Sequence, residues 1–136
     1  MTRLWDYLRG PGRNEIQAWA KQQKLGVRER AQLNQKLDML ERVGFDTACS
    51  LEFLAGTSGG YPHIFKLVVR SQRMLRPMLC RGPIEPKGEA TLLCGAIEKD
   101  FELLPADAAR RADENRLRLM DAARLGEERR MPHERF

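Results

Sequence analysis

Ile64-Phe65-Lys66-Leu67-Val68-Val69-Arg70-Ser71-Gln72-Arg73-Met74-Leu75-Arg76-Pro77-Met78-Leu79-Cys80-Arg81 is the stretch on which the fold turns. Val, Ile, Phe and Leu dominate it, and polar residues interrupt them at intervals suited to a pleated surface. Two strands with a turn near Ser71-Gln72 are therefore expected. A period of two puts Phe65, Leu67 and Val69 on one face and Lys66, Val68 and Arg70 on the other. No Asp or Glu lies between His63 and Pro83, so Lys66, Arg70, Arg73, Arg76 and Arg81 form a local run of cations. A concentrated positive field of that kind attracts phosphate, and a cationic sheet face that binds RNA is the expectation. Pro77 offers no N–H to a ladder, so an edge, a bulge or a different register is expected around it.

Upstream, residues 3–9 read as a short strand or a loose arm, ended by Gly10-Pro11-Gly12. Asn14 suits an N-cap for a helix running to about Leu25, with Ile16, Trp19 and Ala20 on its inner side and Gly26 at its end. A second helix from Val27 to Val43 carries Leu33, Leu37 and Leu40 along one stripe and stops at Gly44. Phe45 to His63 reads as a connection anchored by Leu51, Phe53 and Leu54, with Gly56-Thr57-Ser58-Gly59-Gly60 as a turn. Downstream, the prolines and glycines of residues 82–89 suit a hairpin loop, and Thr91 to Ile97 reads as a third strand. Pro105 opens a last helix reaching about Arg124. The tail 126–136 has little to bury, so it either stays mobile or folds back over the sheet.

Together these elements make an α+β chain: an N-terminal helical hairpin packed on a small antiparallel sheet of three to four strands, with a C-terminal helix. At 136 residues, one domain spanning 1–136 is the expectation. No apolar run approaches the roughly 18 residues of a membrane helix, so no membrane association is expected. Lys and Arg exceed Asp and Glu by 24 to 19, and their clustering carries more information than that excess. Cys49, Cys80 and Cys94 are odd in number and form no CxxC pair, which fits a reduced, cytoplasmic setting and argues against zinc. No metal and no other cofactor is expected.

The order of helix, helix, basic strand, strand, strand and charged helix resembles the RelE/ParE superfamily of small bacterial toxins, in particular its phage-derived HigB-like branch. The resemblance rests on Ile64 to Arg70, on Arg76 to Arg81, on the apolar strand Thr91 to Ile97 with Glu98-Lys99 after it, and on Pro105. It covers about half the chain. It implies the toxin of a type II toxin–antitoxin system, an endoribonuclease cleaving mRNA on the ribosome and held inactive by a helix-turn-helix antitoxin. Two other readings remain beside it: a non-catalytic phage-derived nucleic-acid-binding or interaction protein on the same fold, and a ParE-like gyrase inhibitor, which the basic strand face disfavours.

RNA cleavage by its own 2′-hydroxyl needs a base, charge stabilisation on the phosphorane and a proton for the leaving oxygen. Arg70 and Arg76, expected on adjacent strands, are placed to clamp the scissile phosphate, with Lys99 as a further phosphate ligand or general acid. His133 in the tail is the remaining catalytic candidate, because an imidazole suits proton transfer near neutral pH; His63 is a weaker one. Lys66, Arg73 and Arg81 are the candidate RNA-binding cations. Glu98 serves as base only if it shares the face of the cations, and a period of two sends Glu98 and Lys99 to opposite faces. The bland alternative for all these cations is a solvated face engaged in salt bridges.

Overall fold

Leu4 and Asp6 point one way from the first strand and Tyr7 the other, and all three are buried, which a loose arm cannot achieve. Strand β1 (Arg3–Gly10) is thus built into the sheet of this computed structural model, which describes residues 1–57 and 59–136. Ser58, in the expected Gly56–Gly60 turn, lies outside the described residues.

The chain continues through β2 (Arg13–Asn14), α1 (Glu15–Gln22), α2 (Val27–Val43), α3 (Phe45–Ser50), β3 (Leu54–Gly56), β4 (Phe65–Leu67), β5 (Val69–Arg70), β6 (Met74–Arg81), β7 (Glu89–Lys99), β8 (Glu102–Leu104), α4 (Ala108–Arg124) and β9 (Arg130–Pro132). The described strands form one nine-stranded mixed sheet ordered β2-β1-β7-β6-β4-β3, with β5 on β6, β8 on β7 and β9 on β1. This overturns the expected helical hairpin on a small antiparallel sheet of three to four strands. Strand β1 runs parallel to β7, from Arg3 opposite Glu89 to Asp6 opposite Leu92, and the segments read as connections or tail supply β3, β8 and β9. Parallel pairing leaves no turn signal in the sequence, because its partners are joined by a long crossover rather than a hairpin.

Both faces of the sheet are covered. On one, Ile16 and Trp19 of α1, Leu33, Leu37 and Leu40 of α2 and Phe45 and Ala48 of α3 meet Leu67, Val69, Leu75, Leu79 and Leu92. On the other, Ala108, Ala112 and Leu119 of α4 meet Tyr7, Met78, Cys80, Cys94 and Ala96. Helix α1 starts where expected, since the Asn14 side-chain oxygen accepts from the Gln17 N–H at 3.1 Å, and α2 keeps its expected bounds. Helix α3 occupies what the sequence presents as a connection: Phe45 and Ala48, three residues apart, face the core, but six residues are too few for a periodic signal.

Pro77 sits in the interior strand β6, opposite Gly95 of β7. The ladder on its other side is the one that gives way. Extending the register of β4 and β5 puts Leu67 and Val68 opposite Pro77 and Arg76, and there Val68 donates to Phe53 O at 2.8 Å instead. The first basic strand is broken in two where proline has no N–H to offer. On the β7 side the register shifts between Met78 and Leu79, making Leu93 an extra residue.

The tail is held rather than loose. The buried Asp6 carboxylate accepts from Asn14 Nδ2 at 2.8 Å, from His133 Nδ1 at 2.7 Å and from the Glu134 N–H at 3.2 Å, so two of its three partners come from the tail. Asn34 clasps Phe136 through both backbone groups, at 2.9 and 3.1 Å. Replacing His133 by Ala removes one partner from a carboxylate that water cannot reach, and a loss of about 2 kcal/mol in urea unfolding is expected. Unaltered stability in that variant would mean that the tail contributes nothing through this pair.

Candidate functional site

The alternation read in the sequence holds across the break: Phe65, Leu67 and Val69 pack on the side of α1 to α3, which leaves Lys66 and Arg70 on the side of α4. Arg76 lies between core residues Leu75 and Met78 and takes the α4 side too, as does Glu98, two residues beyond Ala96. There the Glu98 carboxylate accepts from Lys66 Nζ at 2.8 Å and from Arg76 Nη2 at 3.2 Å. Arg76 is 4% exposed; its Nη1 donates to Leu75 O at 3.0 Å, and its buried Nε finds no partner among the described residues. The hydrogen bond from Lys66 holds the Glu98 carboxyl below the ordinary carboxylate value, burial opposes this, and Arg76 adds to the lowering.

Lys66 and Glu98 open onto a cavity of about 500 Å³ also lined by Tyr61, Phe101, Asp107 and Arg110. Phe101 is wholly exposed and, with Asp100, occupies the left-handed region (φ +65° and +53°) at the turn joining β7 to β8. A two-residue hairpin of this kind favours Asn-Gly or similar pairs, so an aromatic there runs against both local conformation and solvation. Such a residue, kept at the rim of a cavity, is a natural platform for a planar ring.

The other expected residues are dispersed. Arg70 ends β5, is exposed, shares the face of Lys66 and Arg76, and makes no salt bridge among the described residues. Arg73 turns to the opposite side, where Nη2 and Nε grip Glu29 of α2 at 2.8 and 3.0 Å and Nη1 reaches Gln23. Arg81 lies over the Phe45 ring and pairs with Asp46 at 2.6 Å. Lys99, one residue past Glu98, is exposed opposite Glu102 and takes the other face. His133 belongs to the Asp6 pair on the α1 to α3 side of the sheet, and from β9 to β6 there are three strand spacings, or about 14 Å. His63 is exposed in the loop before β4. The expected set of Arg70, Arg76, Lys99 and His133 is therefore not one constellation; Lys66, Arg76 and Glu98 are joined, and Arg70 shares their face of the sheet.

The five cations also fail to form an open field. Glu98, Glu29 and Asp46, from β7, α2 and α3, pair with all of them but Arg70 among the described residues, Glu98 being shared by Lys66 and Arg76. The acid-free run in the sequence concealed this, because every carboxylate arrives from far along the chain.

Among the described residues no group of three or more His, Cys, Asp and Glu side chains is placed to hold a metal ion, and no helix is long and apolar enough to cross a membrane. The three thiols are free, and burial pushes those of Cys80 and Cys94 up to about 12, so neither is a nucleophile near neutrality. No family model matches the chain, and neither the curated proteins nor the solved structures contain a match to it.

Proposed function

We propose that the chain is a metal-independent endoribonuclease acting at Lys66, Arg70, Arg76 and Glu98. The observation that supports this reading is the Glu98 carboxylate, ionised and doubly hydrogen-bonded between a lysine and an arginine at the floor of a cavity rimmed by an exposed phenylalanine. Glu98 takes the proton of the 2′-hydroxyl, whose oxygen attacks phosphorus as the bond to the 5′-oxygen breaks. Arg70 and Arg76 offset charge on the phosphorane, and Lys66 gives its proton to the departing oxygen. The products are a 2′,3′-cyclic phosphate and a free 5′-hydroxyl. The 2.8 Å bond between Glu98 and Lys66 then returns the proton and resets both groups. Because Glu98 titrates low it is a weak base, and its share of the acceleration belongs near the lower end of the usual range, about 100-fold.

Under the RelE/HigB-like resemblance the substrate is mRNA on the ribosome, the setting is cytoplasmic, and a helix-turn-helix antitoxin covers the site. These partners rest on the resemblance alone. A second reading, a nucleic-acid-binding protein without cleavage, draws support from Glu98, whose carboxylate is already occupied by Lys66 and Arg76 and held below its ordinary value, which makes it a poor base.

Purified protein incubated with single-stranded RNA and with translating ribosomes separates the readings. Fragments ending in cyclic phosphate are expected, reduced about 100-fold by Glu98→Gln and by Arg70→Ala, since one donor aimed at developing charge is worth about 3 kcal/mol. Phe101→Ala leaves folding untouched and weakens substrate binding several-fold. RNA retarded but never cut by the unmodified protein would favour the binding reading; neither binding nor cutting would eliminate both.

A further inference from the structure

Strands β1 and β7 are paired only as far as Asp6 and Leu92. Beyond that point their pairing stops, and a cleft of about 530 Å³ lies between α1 and α4, beside Cys94 and Gly95 of β7. A cleft of this volume, where the pairing of two strands gives out between two helices, suits a small ligand. Asn115 of α4 closes part of the gap by donating to Leu93 O at 3.0 Å.

Two kinds of group face the cleft. Arg9, Arg13 and Arg118 line it, are exposed, and make no salt bridge among the described residues, whereas the lining carboxylates Asp107 and Glu114 are already engaged by Arg110 and Arg111. At the α1 wall stand Glu15 and Trp19, four residues apart and so on one side of the helix. Trp19 is 7% exposed, yet among the described residues its Nε1 donor has no partner, and neither does the buried Oε2 of Glu15. A buried orphan donor and a buried orphan acceptor one helical turn apart are costly unless something satisfies both.

We propose that this cleft binds a nucleoside monophosphate. Its phosphate is held by Arg9, Arg13 and Arg118, and the edge of its base presents an acceptor to Trp19 Nε1 and a donor to Glu15 Oε2. Guanidinium pairs suit phosphate oxygens, and the adjacent donor and acceptor on α1 match the amide-like edge that nucleobases carry. Lys66, Arg76 and Glu98 play no part in this site, so it stands or falls apart from the cleavage reading.

The test is a titration of the full chain carrying Trp5→Phe, so that Trp19 is the sole tryptophan. AMP, GMP, CMP, UMP, their nucleosides and inorganic phosphate are added in turn while indole fluorescence is followed. At least one monophosphate is expected to saturate with Kd below about 1 mM, with its nucleoside and inorganic phosphate each at least about tenfold weaker. Arg13→Gln and Arg118→Gln, both at exposed positions and checked for folding by circular dichroism, weaken it about tenfold each, while Glu98→Gln leaves it unchanged. No saturation by any monophosphate up to about 10 mM would overturn the proposal, as would nucleosides or phosphate binding as tightly, or arginine variants binding as the parent does.

Discussion

Replacing Gly95 by Ala is expected to cost about 3 kcal/mol and to lower Tm by about 10 °C. In a strand interior the same exchange ordinarily helps by about 0.5–1 kcal/mol, because alanine loses less backbone freedom on folding than glycine. The sign reverses here because a Cβ on Gly95 would meet the Trp19 ring at 2.1 Å from Cδ2, with two more ring atoms within 2.5 Å. The indole packs against the backbone of β7 and is anchored by the buried Ile16 and Ala20 of α1, so it can yield only by giving up that packing and turning into the cleft it lines. In a Trp19→Leu background the obstacle is gone, and Gly95→Ala should become nearly neutral; the coupling between the two sites isolates the contact. Equal losses in both backgrounds, measured by thermal and urea unfolding, would place the cost elsewhere.

The second large effect is the loss of Glu98. Glu98→Ala leaves the nearly buried Arg76 guanidinium without its counter-charge, and a destabilisation of about 3 kcal/mol is expected, since breaking a buried ion pair by removing one partner costs more than the pair contributes. Exchanging both members for apolar residues, as in Glu98→Leu with Arg76→Met, should recover most of it. Acid tells the same story. The folded Glu98 and Glu29 carboxyls titrate below their ordinary value of 4.5, each chiefly through a hydrogen bond, from Lys66 and Arg73 respectively. Their contribution is thus fully present above about pH 4.5 and is lost as pH falls through the lowered folded values. Parent protein should lose stability steeply below pH 4.5, and the double apolar variant less so. Identical acid profiles for the two would mean that Glu98 carries none of this dependence.

The sequence yielded the local content of the fold and not its connectivity. Asn14 as a cap, Leu33, Leu37 and Leu40 as a stripe, and the faces of Phe65 and Lys66 all depend on residues within a turn or two of one another, and the structure has them as read. Strand β1 carries the same kind of alternation, but its partner lies more than eighty residues away and nothing local announces a parallel pairing. The β7–β8 hairpin was hidden differently: Asp100-Phe101 adopts a turn that sequence preference assigns to Asn-Gly. The site followed the same division. Placing Lys66, Arg70 and Arg76 on one face needed only the pleat, whereas putting Glu98 with them needed the bulge at Leu93, which restores Glu98 to the face of the cations. His133 was drawn away by Asp6, a buried acid whose need for partners nothing in its neighbours reveals.

The parallel pairing of β1 with β7 also governs the order in which the chain reaches its native state. A strand synthesised among the first ten residues has only the two-residue β2 beside its far end until residues 89–92 have left the ribosome, and β9 adds to its other edge later still. Helix α1 forms early, but Trp19 on its apolar face has no seat until Gly95 of β7 arrives, and closing so long a loop is slow. The newborn first half is thus an incomplete body, dependent on the second half for its floor, and any partner that binds it before β7 arrives competes with folding itself.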